Sequence, residues 1–96
     1  MNNVQTIINQ YLDFCQYQKR LNTKTLKAYR IDLKQFSSQL AILSFSAITS
    51  DILEAYISTL HKTYQPKTVK RKIASIKALF HYLEYKNIIQ IIITIF

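Results

Sequence analysis

Two runs of lysine and arginine are the residues of this chain best suited to chemistry. The first holds Lys19, Arg20, Lys24, Lys27, Arg30 and Lys34, diluted only by Asp32; the second holds Lys67, Lys70, Arg71, Lys72 and Lys77, with no acid inside it. Together they contain eleven of the thirteen basic residues, and the formal net charge is +8. The chemistry open to such groups is recognition of a polyanion. Ammonium and guanidinium groups neutralise phosphates and release condensed counterions. A solvated helix face would explain one such cluster, and solubility would explain the net charge. Two acid-poor clusters at the starts of two helices weigh against both, and nucleic acid is the favoured partner.

Other chemistries find little support. His61 and His81 are isolated, and Cys15 has no companion ligand, so no zinc site is expected. A phosphate-binding loop is excluded because the chain has no Gly. No catalytic triad is discernible, and no cofactor is expected. Tyr11, Tyr29, Tyr56 and Tyr82 fall on or beside apolar faces, which points to core packing with hydrogen-bonded hydroxyls rather than to a nucleophile. A single Cys excludes an internal disulfide framework and reads as a buried free thiol in a reducing, cytoplasmic setting. No signal-peptide pattern opens the chain, and no apolar run approaches the ~20 residues that span a bilayer.

The elements that must position the two clusters are helices. A chain of 96 residues with no Gly and one Pro reads as a single all-α domain. Val4, Ile7, Ile8, Tyr11, Leu12 and Cys15 recur at helical spacing, predicting a helix from Val4 to Lys19. A second helix runs from Lys24 to Leu40, with Asn22 or Thr23 as its cap. Its apolar stripe is Leu26, Tyr29, Leu33, Phe36 and Leu40, and Lys24, Lys27, Arg30 and Lys34 occupy another face. Residues 41–48 read as irregular. Thr49 caps a third helix that reaches Lys62 and buries Ile52, Leu53, Tyr56, Ile57 and Leu60; Asp51 sits favourably in its first turn. Pro66 opens a fourth helix, to Lys86, with Val69, Ile73, Ile76, Leu79, Phe80 and Leu83 as its core stripe. Lys67, Lys70, Arg71 and Lys77 point away from that stripe, with Ala74 and Ala78 among them. Thr68 and the positive end of the helix dipole add to the same region. Residues 88–96 are apolar, β-branched and uncharged. They read as an extension of the fourth helix, as an interaction strand, or as the product of truncation.

The pattern Thr25, Tyr29, Asp32, Leu33 and Phe36 resembles the second helix of the core-binding domain of tyrosine recombinases, the phage-integrase and Xer-like enzymes. Tyr11-Leu12 followed by a basic turn resembles that domain's first helix. Ile48-Thr49, Asp51-Ile52 and Tyr56-Ile57 resemble its third, and the run from Thr68 to Leu83 its fourth. The likeness spans about Val4 to Ile89. It implies a small four-helix, SAM-like orthogonal bundle over residues 1–87 that clamps one face of double-stranded DNA. In the family a separate C-terminal domain supplies a His-x-x-Arg motif and a tyrosine nucleophile. Here His61 is followed three residues later by Tyr64 and His81 by Glu84, so no catalytic role carries over. The apolar tail also replaces the family's usual Asn-Pro linker.

The expected function is therefore that of a non-catalytic DNA-binding domain of a site-specific recombinase. Its expected contacts are Lys24, Lys27, Arg30, Lys67, Thr68, Lys70, Arg71 and Lys77. Most would grip phosphate, and Arg30 or Arg71 is placed to reach a base edge. Two other classes compete: a helical protein-interaction module that self-associates or pairs through residues 88–96, and a membrane-surface helix. The second is the weaker, because the apolar faces are needed for the core.

Overall fold

The computed structural model of the chain describes residues 4–40 and 48–87. Four helices make up its regular structure: α1 (Val4–Tyr17), α2 (Thr23–Leu40), α3 (Ser50–Thr63) and α4 (Pro66–Tyr85). The expected irregular stretch before Ile48 and the apolar tail lie outside the described residues.

Each helix begins where local chemistry favours it. Asn22 Oδ1 accepts a hydrogen bond from the Thr25 N–H at 2.8 Å, and Thr49 Oγ1 accepts one from the Ile52 N–H at 3.2 Å. These side chains satisfy donors that the first turn leaves without partners. Pro66 opens α4, where its missing N–H costs nothing. The end of α1 is also built: the Leu21 N–H reaches back to the Cys15 carbonyl at 3.0 Å, with Arg20 in the left-handed region at φ 54°. The reversal stops α1 at Tyr17, two residues before the Lys19 end that its periodicity predicts.

α4 packs against all three other helices, and the apolar stripes converge on it. Phe36 of α2 is completely buried; its ring meets Tyr56 of α3 edge-on at 5.3 Å and Phe80 of α4 at 6.2 Å between centroids. On the opposite flank Tyr11 of α1 packs between Tyr29 of α2 at 6.3 Å and Tyr82 of α4 at 4.9 Å. Tyr29 and Leu26 are half-buried against the core, as are Ile52 and Ile73. The Tyr56 hydroxyl is buried with no hydrogen-bond partner among the described residues, contrary to the expectation that it would be bonded, while the buried Tyr11 hydroxyl interacts with the Cys15 thiol. Their rings carry the packing energy, and the apolar setting pushes both phenols up, Tyr56 to about 12.

A polar cluster joins α2 to α4 inside this apolar frame. Asp32 is 1% exposed, and each of its carboxylate oxygens accepts two hydrogen bonds. Oδ1 receives Arg71 Nη2 at 2.8 Å and Lys72 Nζ at 3.0 Å; Oδ2 receives Arg71 Nε at 3.2 Å and the Ser75 hydroxyl at 3.0 Å. Lys72 also donates to Gln35 Oε1 at 2.7 Å and sits over the Tyr64 ring, 4.9 Å from its centroid. Gln35 Nε2 in turn donates to the Tyr64 hydroxyl at 2.7 Å, tying in the α3–α4 turn.

Three outcomes check this packing. Phe36→Ala opens a cavity among three helices and lowers the unfolding free energy by about 3–5 kcal/mol in a denaturant titration. Asp32→Ala strands the Lys72 ammonium, 4% exposed, and costs about 3–5 kcal/mol in the same assay. At high pH the unfolded chain releases tyrosine protons that the folded chain retains. Stability is therefore intact below about pH 10 and falls as pH rises towards the folded Tyr56 value of about 12. A melting temperature that stays flat across that window would contradict the buried phenols.

Candidate nucleic-acid interface

On α2, Lys24, Lys27, Arg30 and Lys34 are all exposed, and they lie on the side of the helix away from Leu33 and Phe36. On α4, Lys67, Lys70, Arg71 and Lys77 are exposed and Thr68 is half-buried. The ion pairs among the described residues both end on Asp32. Seven of these eight cations therefore have no acidic partner among the described residues, and Arg71 alone is paired.

The charge pattern of the sequence misleads at two positions. Asp32 reads as an acid diluting the wet face of α2, but it is buried against α4. The basic face of α2 is consequently free of acid. Lys72 counts toward the second basic run, but its ammonium is sealed beneath Asp32, Gln35 and Tyr64. Helical spacing held the signal for both. Asp32 lies three residues after Tyr29 and four before Phe36, and Lys72 lies three after Val69 and four before Ile76. Each is a single charge on an apolar stripe, and such a charge is buried only with partners. Gln35 and Ser75 complete the cluster, and their neutral side chains gave no comparable signal.

The Asp32 bonds bring the two basic helices together at one seam. Arg71 stands at that seam, bonded to α2 while half of its side chain remains exposed. Lys67 lies one turn before it on the same face of α4, and Thr68 is on the adjoining face. Lys77 is about 120° around the helix from Arg71, and Lys70 is nearly in line with Lys77. Arg71, Lys67 and Thr68 thus border α2, while Lys70 and Lys77 extend the charge around the far side of α4. The first turn of α4 contains no acid, and Gln65 makes no side-chain cap bond there, so nothing local opposes the positive end of its dipole.

Other chemistry is sparse among the described residues. No group of three His, Cys, Asp or Glu side chains is placed to hold a metal ion. Cys15 is a buried free thiol, and burial pushes its pKa up, away from reactivity. An apolar groove between the ends of α1 and α4 is lined by Phe14, Lys19, Ala78, His81, Tyr82 and Tyr85. No helix is long and apolar enough to cross a membrane.

Comparison with known proteins identifies the family. Residues 8–87 match the family model for the phage integrase N-terminal SAM-like domain. A tyrosine recombinase of Agathobacter rectalis is 61% identical over 89 residues, covering 93% of this chain and 29% of the relative. Tyrosine recombinase XerC of Herpetosiphon aurantiacus is 33% identical over 84% of this chain and 28% of its own length. Tyrosine recombinase XerD of Proteus mirabilis is 32% identical over 80% of this chain and 26% of its own length. The chain thus spans less than a third of the curated relatives it matches. No solved structure matches it. The four helices, the residues they bury and these similarities lead to one conclusion: the chain belongs to the phage-integrase N-terminal SAM-like domain family of the tyrosine recombinases.

Proposed function

We propose that this domain grips double-stranded DNA at a recombination site and leaves the strand chemistry to a C-terminal catalytic domain of the full-length recombinase. The observation that carries the reading is the set of seven exposed, acid-free cations on α2 and α4, two helices held together by the Asp32 cluster. Lysines and arginines on two helices packed against each other can neutralise phosphates, and release of counterions drives binding. Phosphate contacts of this kind set the position of a protein on a duplex but carry no sequence information. Arg30 and Arg71 have the reach and the planar donor geometry to add a base-edge contact. Residues 1–87 act as the binding domain in this proposal, with residues 88–96 as a separate segment. In this reading the domain itself is non-catalytic.

Salt dependence tests the surface. With roughly six phosphate contacts, log K falls against log salt concentration with a slope of about −5. Replacing Lys27 and Arg30 by Ala reduces the slope by up to about two, and replacing Lys67 and Lys70 does the same. Replacing Lys62 and Lys86, which lie outside both clusters, changes it little. If the Lys62 and Lys86 pair weakens binding as much as either cluster pair, net charge alone is responsible and no interface exists.

A further inference from the structure

The Asp32 cluster does more than close a gap between helices. All four acceptor positions of the buried carboxylate are filled, so the side chain has no freedom to turn. Two cations share one anion, leaving the cluster one positive charge in excess. Lys72 cannot present that charge, because its side chain is only 6% exposed. Arg71 can, with its side chain 50% exposed. Asp32 occupies the Nε–H and one Nη2–H of the guanidinium. The two N–H groups of Nη1 and the second of Nη2 remain, on the edge facing away from the carboxylate.

Half of the Arg71 side chain is exposed, and its later neighbours on the same helix are small. Ala74 and Ala78, three and seven positions on, are short. Ser75 turns its hydroxyl to Asp32 and to the Arg71 carbonyl, at 3.0 and 3.2 Å. Lys67, one turn earlier, is exposed on the same face and adds charge without an acidic partner among the described residues. An arginine fixed along one side of its fork offers the other side as a two-pronged donor that matches a phosphate. The neighbouring lysines have no such fixing, and each must lose side-chain freedom when it binds.

We propose that Asp32 is a positioning residue for DNA binding: it holds Arg71 as a preset bidentate phosphate clamp at the seam of α2 and α4. The proposal rests on the DNA-binding reading above and specifies how one of its contacts is made. Asp32 itself touches no DNA.

The test separates position from charge. Asp32→Asn combined with Lys72→Met leaves the net charge unchanged, spares Arg71 and removes the ammonium that the single change would strand. Binding to a random-sequence DNA duplex is measured across a salt series, with a thermal melt to establish folding. The expected result is a cooperative melt, an unchanged salt slope and affinity lower by about five- to tenfold, because Arg71 keeps its charge but loses its fixed orientation. Arg71→Lys is expected to lose affinity to a similar extent at an unchanged slope, whereas Arg71→Ala also lowers the slope by about one. Wild-type affinity in a folded double variant overturns the positioning role. If that variant does not fold, wild-type affinity in Arg71→Lys overturns it equally. Failure of the underlying reading looks different: Lys27→Ala with Arg30→Ala would then leave both affinity and slope untouched, and the clamp falls with it.

Discussion

Everything on the basic side of this molecule depends on one buried carboxylate. A charge in a protein interior is unfavourable unless it is paired and its hydrogen-bonding capacity is filled. Asp32 meets both conditions with four bonds from three residues of α4. An apolar contact of equal volume would hold α2 to α4 at least as tightly. It would not be directional. Leucines slide against one another at little cost, whereas a slip of one turn along this seam breaks every bond to Asp32. The cluster thereby fixes where the cations of α2 stand relative to those of α4.

The apolar packing works alongside this polar seam. Phe36 and the Asp32 carboxylate lie one turn apart on α2, so the same face delivers both a ring to the shared core and an anion to α4. Aromatic contacts on two flanks, Phe36 with Tyr56 and Phe80, and Tyr11 with Tyr29 and Tyr82, brace the helix pair from either side. The Tyr56 hydroxyl, without a partner among the described residues, fits the same picture. Ring volume is what that position requires, and the dry surroundings that reward it offer its oxygen no partner among the described residues.

The helices were legible in the sequence because periodicity and capping agree at each one. Asn22, Thr49 and Pro66 mark three starts, and Val4 through Cys15, Leu33 with Phe36, and Val69 through Leu83 mark the buried faces. The bundle follows from those stripes. The candidate interface was legible only in part. Exposure of Lys24, Lys27, Arg30, Lys67, Lys70 and Lys77 follows from their helical positions, which fall outside the buried stripes. Arg71, Lys72 and Asp32 could not be sorted by charge alone. Whether a cation faces water or a buried anion is a property of two helices together, and charge counted along one helix does not contain it. Lys72 and Asp32 were separable only as charges on apolar stripes, and Arg71 only once its partner on α2 was known.

The turns have a consequence for the chain before it folds. Left-handed backbone is needed at two helix exits, and with no glycine in the sequence it falls to Arg20 at φ 54° and Asn87 at φ 58°. Asn tolerates this region, but Arg adopts it only against its own side-chain sterics. Among the described residues the cost is confined to these two positions. The benefit is distributed over the whole chain, because residues with a Cβ sample fewer backbone conformations when unfolded and lose less entropy on ordering. A domain of this size buries a modest share of its surface and has little stability to spare. Its glycine-free composition therefore supports the native state from the other side of the equilibrium, by making the disordered chain stiffer.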